Sequence, residues 1–371
     1  MELVARRRGV QFGRMTIEKP KQAIASIQCL RGIAASMVVL HHLQNQTQRL
    51  GLPYVPADVL QAGVDIFFVI SGFIMWVTTA GRPERTAGTF FRDRVARIAP
   101  LYWSVTIFMV VIMAVAPSVL STSAPDVSHI VRSLLFIPAR HPVTGTYLPT
   151  LIPGWTLNME MFFYLLFGAA LFISGERMKL RAGMLLSTLV LLVAIGVVVG
   201  PTGAFGFYTQ GMLIEFGAGI CIGLAYMSGR VVRSRWWWGV AILGLLALAV
   251  QLAQPSALDR AIAWGAPAAA IVTGAALGPR ASARALERLG DWSYALYLSH
   301  PITLAGCQKA WLLIPFAAPV ELFPLFALAV VILCAGAIFR FVERPATRAT
   351  KGLLGMAVAR RSPTRVMPAA S

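Results

Sequence analysis

Acidic residues are scarce in this sequence. Only 15 of 371 residues are Asp or Glu, against 33 Lys and Arg, and the four charged types together make up 13% of the chain. A soluble domain carries about 25%, so an ordinary water-soluble enzyme is excluded. Cysteine is equally sparse: Cys29, Cys221, Cys307 and Cys334 stand singly in apolar segments. Their spacing offers neither a metal-ligand set nor a disulfide framework, and they read as small buried hydrophobes. Glycine-rich phosphate loops and internal repeats are also missing; Gly217-Ala218-Gly219 and Gly265-Ala266 read as close helix packing.

What is present is apolar. With 57% hydrophobic residues and a mean hydropathy of +0.70, the chain is all-α and polytopic, a membrane bundle of about ten helices. The expected spans are about 25–45, 59–79, 99–119, 153–173, 183–200, 208–227, 238–254, 260–277, 293–313 and 322–341. One transmembrane domain, 24–345, then lies between a basic, unstructured lead, 1–23, and a basic tail, 346–371, with Met15 an alternative start. The formal charge of +18 does not imply nucleic acid, because 28 of the 33 Lys and Arg fall on one set of flanks. That partition is the positive-inside pattern, placing both termini in the cytoplasm.

A hydrophobic hairpin, about 27–43 and 59–78, carries the chemistry. It holds Arg31, His41, His42 and Asp65 inside otherwise apolar runs. Ionisable groups at mid-membrane cost about 2.5–3.5 kcal/mol each, so such groups have a partner or a task. Arg31 and His42 lie 11 residues apart, roughly 16 Å along a helix and on one face. His41 points about 100° away. Glu160 and Glu215 recur at similar depth on other spans, and His300 precedes Pro301 on the ninth. The stretch about 80–98 reads as a basic loop with Arg82, Arg85, Arg92, Arg94 and Arg97. Between the third and fourth spans, Val127, Ile130, Val131, Leu134 and Leu135 form an amphipathic stripe, a short surface helix beside solvated His129 and His141. Trp236-Trp237-Trp238 reads as an interfacial anchor.

Several motifs then line up. They are Arg31, ten residues and His42; Gly63-Val64-Asp65-Ile66-Phe67-Phe68-Val69-Ile70-Ser71-Gly72-Phe73; Arg94-x-x-Arg97-Ile98-x-Pro100; and Trp155-Thr156-Leu157-x-x-Glu160-x-x-Phe163-Tyr164. Glu215-Phe216-x-x-Gly219, Gly290-x-x-Ser293-Tyr294-x-Leu296-Tyr297-Leu298-x-His300 and Glu343-x-Pro345 follow. In this order they resemble the membrane-bound acyltransferase 3 family over nearly the whole chain. Ile27-Gln28-x-Leu30-Arg31-Gly32 and Ile74-Met75-Trp76-Val77-Thr78 are most similar to its exopolysaccharide acetyltransferases of the succinoglycan type.

The resemblance implies an O-acyltransferase with acetyl-CoA as donor, no metal, and a glycan or lipid-linked saccharide as acceptor. Membrane lipids and polysaccharide-synthesis machinery are the implied partners. His42 would be the base or transient acyl carrier, oriented by Glu160 or Asp65. Arg31, Arg94 and Arg97 would serve the donor, and Glu215, Tyr297 and His300 the acceptor. The rival reading of the same intramembrane charges is a secondary transporter or a polysaccharide-export component. Ten spans with both termini inside predict that a reporter fused after Ser371 works only in the cytoplasm. A fusion active only outside would refute the topology.

Overall fold

The computed structural model describes residues 18–82, 85–115, 126–200, 202–229, 231–253, 259–313 and 319–355. The first 17 residues, which include the basic run Arg6-Arg7-Arg8 and Met15, and the end of the tail lie outside the described residues. The chain folds into thirteen α-helices among these residues, with no strand beyond an isolated Arg140–Tyr147 bridge. They are α1 (Glu18–Arg49), α2 (Ala62–Thr79), α3 (Ala87–Val115), α4 (Val127–Leu134), α5 (Gly154–Ser174), α6 (Met178–Val199) and α7 (Gly203–Phe207). Then come α8 (Leu213–Met227), α9 (Trp236–Ala253), α10 (Ala266–Leu277), α11 (Arg284–Leu312), α12 (Phe323–Ile338) and α13 (Arg344–Leu353).

Among the described residues, six helices are long and apolar enough to cross a membrane, not ten. The difference has physical causes. The helices at 213–227 and 261–277 are apolar but short. Helices α1 and α11 are long, yet each mixes charged and polar side chains with its apolar ones and so lacks the apolar run of a span. These two are the helices that carry Arg31, His42 and His300.

Three further expectations change. Helix α1 begins at Glu18, inside the stretch expected to be an unstructured lead, and α13 extends the fold into the basic tail. Arg92, Arg94 and Arg97 sit on α3 rather than in a loop, which shrinks to the turn before Ala87. Finally, His129 and His141 are not solvated: both are buried, with ring centroids 5.3 Å apart, and burial pushes each below the usual imidazole range. The amphipathic stripe does form a helix, α4, capped by Asp126 accepting from the Ser128 amide at 2.9 Å. It is pinned on α3, whose Tyr102 and Trp103 donate to the carbonyls of Ser133 and Leu134.

Backbone contact at glycine sets the two main helix crossings. A Cβ at Gly290 would stand 2.0 Å from the Gln28 carbonyl oxygen, and one at Gly32 2.8 Å from that of Leu286, so α1 and α11 touch through bare backbone. Helices α2 and α8 do the same: a Cβ at Gly72 would meet the Phe216 carbonyl at 2.0 Å, and one at Gly219 that of Val69 at 2.1 Å. Small residues at such crossings let helices approach where lipid supplies no hydrophobic drive. Phe163 stacked on Phe216 (4.3 Å) and Phe90 on Phe167 (5.0 Å) fill the space between α3, α5 and α8. Helices α6 and α9 present most of their apolar surface outward, as lipid-facing helices do.

Gly290→Val therefore forces α1 from α11 and exceeds the ~1–3 kcal/mol of an ordinary overpacked core. Its melting temperature should fall steeply, while Gly306→Ala, on the same helix with open space at its Cβ, should melt like wild type. Equal melting of the two variants would contradict the crossing.

Candidate active site

The α1–α11 crossing places histidine against histidine. The His42 and His300 rings lie 4.8 Å apart, centroid to centroid, inclined at 63°. Each imidazole is fixed by a backbone carbonyl of its own helix. His42 Nδ1–H donates to Val38 O at 2.9 Å, and His300 Nδ1–H to Tyr297 O at 2.7 Å. A carbonyl only accepts, so when neutral both rings carry the proton on Nδ1 and a lone pair on Nε2. His300 is fully buried, and its Nε2 has no partner among the described residues. His41 stands edge-on to His42 at 5.1 Å and faces Asp58, 3.8 Å away.

The acids expected to orient His42 go elsewhere. Asp65 is wholly buried and clasped by Arg260, Nε to Oδ1 at 3.1 Å and Nη2 to Oδ2 at 2.8 Å. Arg260 also donates to the Gln61 carbonyl at 3.2 Å and lies over the Trp264 ring. Glu215 is buried beside Asp65 and against Gly265, where a Cβ would crowd its Oε1 at 2.7 Å. Glu160 accepts from Ser71 Oγ at 3.0 Å and from the Tyr164 hydroxyl. The Val38 carbonyl holds the position on His42 that a carboxylate was expected to take.

Glu160 instead belongs with the arginines. It lies within electrostatic reach of Arg31 and Arg94. Arg31 Nη2 donates to Ser293 Oγ at 2.9 Å across the α1–α11 contact and is within reach of Arg97 and Glu343. Arg94 lies over the Phe90 ring, and its buried Nε has no hydrogen-bond partner among the described residues. Tyr297 stands between the groups, within electrostatic reach of both Glu160 and Arg260. Its hydroxyl donates to Pro153 O at 3.3 Å and lies 2.9 Å from Thr156 Oγ1. The arrangement offers an acceptor nitrogen in an apolar interior and, toward the other end of α1, a guanidinium cluster suited to anions.

Residues 24–339 match the family described as acyltransferase domain, acyltransferase 3. The chain belongs to this family. It is an acyltransferase held in a membrane. It is similar to exopolysaccharide production protein ExoZ of Rhizobium meliloti (strain 1021), 36% identical over 317 residues, or 80% of this chain and 94% of that one. It is also similar to acyltransferase MdmB of Streptomyces mycarofaciens, 27% identical over 398 aligned residues, or 93% of this chain and 95% of that one. No solved structure matches the chain.

Some partners in this acyltransferase differ in how far the sequence announces them. Tyr164, one helical turn after Glu160, is within reach of an i, i+4 argument. Arg260 is not, since 195 residues separate it from Asp65. Removing Arg260 would leave a buried carboxylate uncompensated, a loss of about 3–5 kcal/mol. Arg260→Met should thus melt well below wild type, and Arg260→Met with Asp65→Leu should recover most of the difference. A double variant as unstable as the single one would deny the pair its structural role.

Proposed function

We propose that this enzyme transfers an acetyl or related acyl group from acyl-CoA to a hydroxyl of an exopolysaccharide or its lipid-linked precursor. The observation that carries the reading is the His42–His300 pair, with His42 Nδ1 committed and its Nε2 bonded to no protein group among the described residues. The exopolysaccharide role in the name of the ExoZ relative, at 36% identity, supports a glycan acceptor. Family membership and a relative named as an acyltransferase favour a transferase over a transporter.

In this reading His42 Nε2 takes the proton from the acceptor hydroxyl as its oxygen attacks the thioester carbonyl. The new C–O bond forms, the C–S bond breaks, and the proton passes from His42 to the departing sulfur. The Val38 carbonyl takes the orienting role that triads give to a carboxylate, holding the Nδ1–H tautomer. His300 stands against the His42 ring, and Tyr297 with Thr156 offers hydroxyls to the acceptor. Arg31, Arg94 and Arg97 meet the donor's diphosphate, with Glu160 keeping Arg31 and Arg94 in place; the unpartnered Arg94 Nε fits such an anion. Asp65 then braces α2 against the turn that leads into α10 through Arg260, while Glu215, whose two oxygens have no hydrogen-bond partner among the described residues, stays with the acceptor.

The same reading puts the arginine end of the bundle in the cytoplasm of a bacterial inner membrane, where acyl-CoA is made. The histidine pair then lies toward the outer half, so the acyl group is carried into the bundle, away from the cytoplasmic face, along the pantetheine arm.

A positioned base contributes about 10²- to 10⁴-fold in rate. His42→Ala should therefore lose acyl transfer by that factor at unchanged membrane abundance, whereas His41→Ala, facing Asp58, should keep much of it. Acyl groups on the surface polysaccharide of a complemented deletion strain report both. A dead His41→Ala beside an active His42→Ala would remove His42 from the role.

A further inference from the structure

A second group of cations, made of different residues, surrounds a cavity at the arginine end. The cavity, about 370 Å³, lies where the α2–α3 turn meets the α5–α6 turn. Arg82, Arg85 and Arg181 line it, and Glu176 is the one carboxylate among its described lining residues. Such a volume accommodates a phosphorylated headgroup or nucleoside.

Arg181 is the decisive residue. It is 3% exposed, although it stands in the first turn of α6. Its Nε donates to Ser174 Oγ at 3.1 Å and its Nη2 to the Gly175 carbonyl, while Nη1 has no partner among the described residues. Gly175 sits at φ +54°, a left-handed conformation open to glycine, and this turn presents the carbonyl to Arg181. Buried guanidinium N–H groups are nearly always satisfied, and one left free beside a cavity calls for an oxygen that the described chain does not supply.

Three further features point to an anion. Arg85 is held at the rim by its ion pair with Asp93. Arg82 is exposed and carries no ion pair among the described residues. Ala87, the first residue of the 29-residue helix α3, also lines the cavity, with Thr86 before it. The amides of such a helix start favour negative charge. Phe172, also among the lining residues, is 81% exposed, so the cavity joins cationic side chains to an exposed apolar one.

We propose that this cavity is a phosphate-ester site, in which Arg181 Nη1 and Arg82 hold the phosphate oxygens. The ester has two sources at this position. One is an anionic lipid headgroup reached past Phe172. The other is the nucleotide end of the donor, and that source alone rests on the function proposed above.

Full-length protein in phosphatidylcholine nanodiscs separates the two sources. Calorimetry there measures binding of adenosine 3′,5′-bisphosphate, and native mass spectrometry measures retention of phosphatidylglycerol. Each charge-assisted bond removed should weaken binding about tenfold or more. Wild type should bind one of these ligands, Arg82→Gln and Arg181→Gln should each weaken it by that factor, and Glu176→Gln should tighten it. Should Arg181→Gln fail to fold, the exposed positions Arg82 and Glu176 still decide the matter. If the chain uses another donor, the nucleotide arm falls silent while the lipid arm continues to report the site. Failure of both ligands to bind, or binding unchanged in all three variants, would overturn the proposal.

Discussion

Everything at the centre of this molecule depends on α1 and α11 meeting through backbone. Gly32 and Gly290 remove the two Cβ atoms that would hold the helices apart. Within that contact Gln28 Nε2 reaches Asp291 at 2.7 Å and Arg31 reaches Ser293 at 2.9 Å. Three turns further along α1 the same geometry sets His42 against His300. A rigid crossing thus does two jobs. It fixes a cation near one end and an imidazole pair nearer the other, and the helix rise sets the spacing between them.

Burying so much charge in an apolar bundle demands compensation, and each group solves it differently. Asp65 meets a bidentate guanidinium, Glu160 accepts from two hydroxyls, and the histidines bond carbonyls of their own helices. Saturated groups serve as struts. Arg94 Nε, His300 Nε2, Arg181 Nη1 and both Glu215 oxygens, without hydrogen-bond partners among the described residues, are where a substrate or ligand has something to gain. Structural and chemical roles separate along that line.

Much of this is legible in the sequence. The 11-residue interval from Arg31 to His42 is enough to put both side chains on one helix face, and the stripe at 127–135 announces α4. Periodicity reports which face a residue occupies, not what lies opposite. The pairings Asp65–Arg260, Arg31–Ser293 and His42–His300 join residues far apart in sequence, so nothing local encodes them. The expectation that a carboxylate orients His42 rests on the family resemblance and on a carboxylate's fitness to fix an imidazole tautomer. The Val38 carbonyl escapes such reasoning because a backbone group carries no residue-type signal. The sequence places spans at about 25–45 and 293–313, where α1 and α11 do form, although both are too polar to count among the six apolar crossing helices.

The central claim is that the carbonyls of Val38 and Tyr297 hold His42 and His300 as Nδ1–H tautomers, leaving Nε2 free to accept a proton. Nitrogen-15 spectra of histidine-labelled protein in lipid bilayers, assigned with His42→Gln and His300→Gln, measure this directly. At neutral pH the account predicts a protonated Nδ1 and an unprotonated Nε2 for both rings. A protonated Nε2 on neutral His42 would contradict it, because that nitrogen would then have no lone pair for the acceptor hydroxyl.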